Sequence, residues 1–203
     1  MKKHSSSLSY CTALLLSCLF SSLFSSLAYS ADNDWVMLLD GTSGLENFNL
    51  LGDANWSAQK DAIQATEGNS TSFLVSKESY DDFTLRIEFW TSEDANSGIF
   101  MRCQDSNKLS DKTCYEANIY DQRPDATYAT GGIVHISAIG EPRPLAGGKW
   151  NVYLLTMQGT HLLVELNGKV TADVHDSQFS SGVIGLQWGR GMVRFRKVEI
   201  KRL

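Results

Sequence analysis

The apolar positions along this chain come in short runs, many alternating with polar residues, separated by Gly, Asn, Asp and Ser. No stretch of twelve residues keeps a 3.6-residue period. Runs of this kind predict strands over 35–39, 56–59, 72–75, 83–90, 99–103, 115–120, 133–137, 150–158, 161–166, 182–188 and 193–201. Gly159-Thr160 joins two of them as a hairpin, and Asn167-Gly168 supplies a type I′ turn into a further strand over 169–174. Many short strands with such turns predict an all-β fold, a two-sheet antiparallel sandwich or a barrel. The three prolines, Pro124, Pro142 and Pro144, and the Gly131-Gly132 pair mark a loop-rich region around one short strand.

Alternation also assigns faces. In "DFTLRIEFW", Phe83, Leu85, Ile87 and Phe89 form the core face, and Arg86, Glu88 and Trp90 the other. In "SGIFMRC", Gly98, Phe100 and Arg102 share a face; in "YEANIYD", Glu116, Asn118 and Tyr120 do. Were these strands neighbours, one sheet would display Arg86, Glu88, Trp90, Arg102, Glu116, Asn118 and Tyr120 together. Aromatics and forked charged groups of this kind suit a sugar, whose C–H faces stack and whose paired hydroxyls hydrogen-bond. Equally, Arg86 and Glu88 suit a solvated cross-strand ion pair. Arg102 follows an apolar run, and an unpaired buried guanidinium is costly. It is expected to face a cleft near Glu116.

Residues 1–30 have the form of a secretory signal peptide: Lys2 and Lys3, an uncharged apolar stretch, then small residues ending at Ala28 or Ser30. Leu15-Leu16-Ser17-Cys18 resembles a lipobox, but the apolar sequence after Cys18 suits a cleaved peptide better than a lipid-anchored tether. Residues 31–203 are then expected to form one domain that is secreted or periplasmic. Loss of Lys2 and Lys3 takes the formal net charge from −5 to −7. Such a chain is a poor partner for nucleic acid or an anionic membrane surface, and no later segment is long and apolar enough to span a bilayer. Cys103 and Cys114 flank a polar loop and predict a disulfide, contributing roughly 2–3 kcal/mol on the loop-entropy model.

An ordered set of motifs adds a further expectation. "LLDGTSGLENF" at 38–48, "FLVSKESYDDFTLRIEFW" at 73–90, "NSGIFMR" at 96–102 and "YEANIYD" at 115–121 resemble the 3-keto-disaccharide hydrolase domain family (DUF1080). So do "KWN" at 149–151, "LNGK" at 166–169, "GVIGLQ" at 182–187 and "VRFRKVEI" at 193–200. The resemblance implies a concanavalin A-like jelly roll of two antiparallel sheets, one of them concave. It also implies cleavage of glycosides whose C3 hydroxyl has become a ketone. A base removes the acidified C2 proton, an electrophile stabilises the enolate, and the C1 aglycone is eliminated. One divalent metal ion is among the electrophiles this chemistry admits, beside an arginine or a hydrogen-bond donor. The implied ligand is an oxidised sugar or glycoside; neither the metal nor the oligomeric state follows. A non-catalytic, lectin-like sugar-binding module is the alternative on the same fold.

Carried onto this chain, the family's Asn-Ser-Gly-plus-Arg strand corresponds to Asn96, Ser97, Gly98 and Arg102, and its Glu/Asp strand to Glu116 and Asp121. Glu116-Ala117-Asn118 stands where relatives commonly read Glu-x-Gln, and the cysteine loop resembles an addition. The expected catalytic set is Glu116, His135 and Arg102, with His135 a base or metal ligand by its ordinary pKa of about 6.5. The expected substrate contacts are Trp90, Asn96, Asn118, Tyr120, Asp121, Arg123, Arg143, Gln187 and Trp188, the last either a sugar platform or core. His161 and His175 read as surface residues, and no HxH or HExxH spacing occurs.

Overall fold

The computed structural model describes Met1 and residues 34–203. The expectations of a signal peptide, of lipidation at Cys18 and of export concern residues outside that span. Within it the chain forms thirteen strands: β1 (Val36–Asp40), β2 (Phe48–Leu51), β3 (Ser57–Gln59), β4 (Ala62–Ala65), β5 (Ser72–Tyr80), β6 (Phe83–Thr91) and β7 (Ser97–Cys103), followed by β8 (Tyr115–Ile119), β9 (Trp150–Gln158), β10 (His161–Leu166), β11 (Lys169–His175), β12 (Gly182–Trp188) and β13 (Val193–Arg202). One sheet has the order β11-β10-β9-β6-β13-β4-β3, with β1 also paired to β13; the other has the order β2-β5-β12-β7-β8. Every pairing between these strands is antiparallel, as a jelly-roll sandwich requires. No helix among the described residues is long and apolar enough to cross a membrane.

The main core lies between the sheets and follows the alternation read from sequence. Phe83, Leu85, Ile87 and Phe89 of β6 are fully buried, while the residues between them are partly exposed. From the facing sheet, Ile99, Met101, Ala117, Ile184 and Leu186 close against them. Tyr153 of β9 crosses the core: its hydroxyl donates to the Asn118 carbonyl (2.6 Å) and accepts from the Gly131 amide (2.9 Å). Buried polar groups are tolerable only when paired in this way.

Three elements differ from the sequence reading. Residues 133–137 make isolated bridges rather than a strand, because His135 takes a left-handed φ of 64° that breaks the extended chain. β2 and β4, too short to show a pattern of their own, are recruited by pairing with β5 and β13.

The larger difference is at Arg102. β12 and β7 pair as Gly185↔Phe100 and Val183↔Cys103, so β7 carries one extra residue opposite β12. Arg102 sits in that bulge with φ 51°. The bulge reverses the alternation: Arg102 turns inward with Met101, and Cys103 turns outward with Phe100. Arg102 therefore does not face a cleft beside Glu116. It is fully buried, and its guanidinium donates to the carbonyls of Asp81 (2.8 Å), Gly159 (2.8 Å) and Phe179 (3.1 Å) and to the Asp82 carboxylate (2.9 Å). One side chain of the five-stranded sheet thus holds the β5–β6 turn, the β9–β10 turn and the segment before β12.

The expected consequence is structural. Arg102→Met leaves three carbonyls and a carboxylate without their donor, and stability falls by about 3–5 kcal/mol. Urea unfolding monitored by tryptophan fluorescence measures this, and a loss under about 1 kcal/mol, the level of an ordinary surface ion pair, would contradict the clamp.

Candidate functional site

The bulge also decides what covers the outer face of the five-stranded sheet. Cys103, now pointing outward, is disulfide-bonded to Cys114, with Cα atoms 4.2 Å apart. The loop between them lies over the sheet. Leu109 anchors it, packing with Phe73, Phe100 and Val183 in a second apolar cluster. Gly185 makes room: a Cβ there would collide with the Leu109 side chain. Beside this loop is a cavity of about 520 Å³. Its floor includes Phe73, Phe100, Glu116 and Gln187. The disulfide loop contributes Asn107, Lys108, Ser110 and Asp111, and the segments flanking β7 and β8 contribute Asn96, Tyr120 and Arg123.

Glu116 is the unusual group. It is 7% exposed, and its carboxylate has no hydrogen-bond partner among the described residues. It lies across Gly98, where a Cβ would come within 2.7 Å of Oε1. Burial, and then the Asp111 carboxylate, push its pKa up to about 8, against a smaller opposing pull from Arg123. The Gln187 amide oxygen beside it on the floor is buried and also lacks a partner. A carboxyl without a partner, lining a cavity together with Gln187, Asn96 and Tyr120, is suited to a ligand rich in hydroxyls.

Of the residues singled out from sequence, Glu116, Asn96, Tyr120, Arg123 and Gln187 come together around this cavity. The others do not line it. Arg102 is the buried clamp. His135 lies on the outer side of the loop wall, with a 54% exposed side chain and Nε2 2.9 Å from Asp111 Oδ2. It touches a lining residue without lining the cavity. Trp90 belongs to the eight-stranded sheet, opposite Trp150 and Arg194, so the expected shared display with β7 and β8 does not exist. Its companions Arg86 and Glu88 make surface ion pairs with Glu199 and Arg196. Trp188 follows Gln187 in an alternating strand; Gln187 faces the cavity, so Trp188 enters the core and donates to the Gly191 carbonyl (2.8 Å).

Asn118 keeps the parity of Glu116 but is fully buried, donating to the Tyr128 carbonyl (2.6 Å). Asp121 accepts from Thr130 Oγ1 (2.6 Å) and from the Ala146 and Gly147 amides, which fixes the proline-rich loop. Arg143 pairs with Glu141 (3.0 Å) beside a different cavity. The sequence reading missed Lys108, Asp111 and the rest of the disulfide loop. The signal was present in the two cysteines, whose outward direction depends on the bulge.

Comparison with known proteins decides the family. A model of the 3-keto-alpha-glucoside-1,2-lyase-like domain matches residues 34–201. The chain belongs to that family. No curated protein matches it in sequence. Among solved structures it is similar to a candidate glycosyl hydrolase from Parabacteroides distasonis, at 15% identity and TM-score 0.73, covering 83% of this chain and 94% of that one. It is also similar to the carbohydrate-binding module CBM66 from Bacillus subtilis (19%, TM-score 0.54, 83% and 95%). A third is the Ca²⁺/Man-bound exoplasmic/lumenal domain of VIP36 (8%, TM-score 0.58, 82% and 89%). At these identities the likenesses establish the fold alone.

A divalent metal is one electrophile that the chemistry implied by the resemblance admits. The lining offers two carboxylates, Glu116 and Asp111, for an oxygen-ligated ion, and no cluster of three His, Cys, Asp or Glu side chains occurs among the described residues, so the donor set does not fit a four-ligand zinc site.

A carboxyl whose folded-state pKa is raised binds its proton more tightly folded than unfolded. Its contribution to stability is therefore complete at low pH and is lost as pH rises from the ordinary carboxyl value, 4.5, to about 8. Glu116→Gln removes this titration. The urea midpoint of the variant, relative to the parent, is expected to climb across that window and level off above it. A difference that stays flat from pH 4 to 9 would mean an ordinary carboxyl.

Proposed function

We propose that this protein is an exported carbohydrate-active enzyme that cleaves 3-keto-glycosides, with Glu116 as the base. The observation that carries the reading is a buried carboxylate without a partner, facing a cavity, in a member of the 3-keto-alpha-glucoside-1,2-lyase-like family. Its raised pKa makes it a stronger proton acceptor than an ordinary carboxylate while leaving it ionised in a useful fraction near neutrality.

In the proposed reaction Glu116 takes the C2 proton of the bound keto-sugar. The C–H electron pair moves into a C2–C3 double bond, and negative charge develops on the C3 oxygen. Asn96 and Gln187, whose carboxamides line the same cavity, supply neutral donors for that oxygen, the role of an oxyanion hole. The enolate then reforms the carbonyl, a C1–C2 double bond appears and the C1–O bond to the aglycone breaks. Glu116 holds the proton and can return it to the departing oxygen. Addition of water across C1–C2, with the hydroxyl at C1 and the proton at C2, completes a net hydrolysis. No step requires a metal ion. The exported location rests on the leader-like first thirty residues and suits the disulfide.

Aglycone release from 3-keto-glucosides by the purified protein tests the proposal. Turnover is expected with EDTA present, and Glu116→Gln is expected to reduce kcat at least about 10²-fold while the variant still binds. Binding without turnover in the parent protein would instead favour the lectin-like reading, to which the CBM66 and VIP36 likenesses lend support.

The pH profile separates Glu116 from other bases. The base must be ionised, so kcat/KM is expected to rise with pH through about 8. Asp111 raises this pKa, so Asp111→Asn moves the rising limb to lower pH. A limb that stays in place in Asp111→Asn would assign the titration to another group.

A further inference from the structure

The arginines of this protein are almost all engaged. Arg86, Arg102, Arg143, Arg190, Arg194, Arg196 and Arg202 each donate to a carboxylate, a carbonyl or a hydroxyl. Arg123 is the exception among the described residues: its guanidinium has no hydrogen-bond or ion-pair partner, and it lines the cavity of Glu116. Lys108, on the disulfide loop, lines the same cavity, and its ammonium is likewise without a partner among the described residues.

The lining acids offset these cations only in part: Glu116 is largely protonated below about 8, which leaves Asp111, hydrogen-bonded to His135, as the ionised acid of the lining, with Asp125 outside the lining also within electrostatic reach of Arg123. With two cations against one ionised acid, the lining is positive on a chain whose formal net charge is −5. A localised field opposite in sign to the rest of the molecule concentrates ligands of the complementary charge. A planar guanidinium without partners matches a carboxylate or a sulfate through two parallel hydrogen bonds.

We infer that the cavity takes an anionic glycoside, a sugar bearing a carboxylate or sulfate group that Arg123 grips and Lys108 attracts. This inference rests on the cavity being a glycoside site and adds the substrate's charge. A neutral sugar would leave both cations in place with only hydroxyls to bind, whereas an anionic one would give Arg123 the partner that every other arginine already has.

Binding rather than turnover tests it, so the outcome does not depend on Glu116 or on the keto group. Calorimetry on the purified protein compares 4-nitrophenyl glucuronide and 4-nitrophenyl glucose-6-sulfate with 4-nitrophenyl glucoside. At least one anionic ligand is expected to bind about tenfold more tightly than the neutral one. The advantage should shrink with added salt and disappear in Arg123→Gln, with a partial loss in Lys108→Gln. Glucuronide and sulfate ranked against each other identify the group. Equal affinity for all three ligands, or a preference that survives in Arg123→Gln, would overturn the inference. Failure to bind any of them would overturn it together with the sugar-site reading. Turnover of neutral 3-keto-glucosides with no anionic preference would overturn the inference alone.

Discussion

A single left-handed residue organises both ends of this molecule's chemistry. At Arg102 the chain takes φ 51° and inserts one extra residue opposite β12. Two consecutive side chains thereby exchange faces. The guanidinium goes in, where only a full set of acceptors makes its burial tolerable, and three turns of the sandwich supply them. The following cysteine goes out, where it can anchor a loop across the outer face. Without the bulge, alternation would bury Cys103 and expose Arg102, and the loop would have no anchor on the face where the cavity lies. Gly182 permits the register: a Cβ there would collide with the backbone of Arg102 and Cys103.

The site is then a consequence of small residues beneath large ones. Gly185 admits Leu109, which holds the loop down, and Gly98 admits the carboxylate of Glu116, which lies flat on the sheet. Covering that carboxylate removes it from water, and the loop brings Asp111 near it. Both effects disfavour the charged form, so the same loop that walls the cavity also tunes the acid inside it. The sandwich itself is shared with sugar-binding modules and hydrolase candidates alike. Any catalytic difference resides in this loop and the carboxyl it covers, not in the fold.

The sandwich was legible because alternation is a local property. β6, β9 and β10 show it cleanly, and the Asn167-Gly168 turn carries its own conformational signature in residues of φ 53° and 77°. Parity and motif point to Glu116, Gln187, Asn96 and Tyr120, and position in the proline-rich loop to Arg123; these five line one cavity. What alternation cannot show is where it stops. Nothing in "FMRC" marks the bulge, so alternation puts Arg102 on the outer face where the structure has it inside; nothing in "GGIVHIS" marks the left-handed His135. Sheet membership is also non-local. Trp90 has the expected parity but sits in the other sheet, because β6 pairs with β9 and β13 and not with β7. Asp121 and Asn118 are polar residues near the site that the surrounding loops take up as structural ligands, a fate decided by chain segments nine to twenty-six residues away.

The separation of Glu116 from Arg123 is the remaining piece of logic. An arginine in direct contact with a buried glutamate would hold it ionised, with its pKa below the ordinary value, and would leave neither group available. Here the guanidinium is near enough to offset part of the desolvation, yet no hydrogen bond joins the two. The carboxyl keeps the raised pKa that a proton-abstracting base needs, and the cation keeps its five donors for something else. An unliganded pocket that tolerates both groups without partners is less stable than one that pairs them. Pairing the two would be the more stable arrangement, and in the proposed reading a ligand completes them instead, offering an acidic proton to one and negative charge to the other.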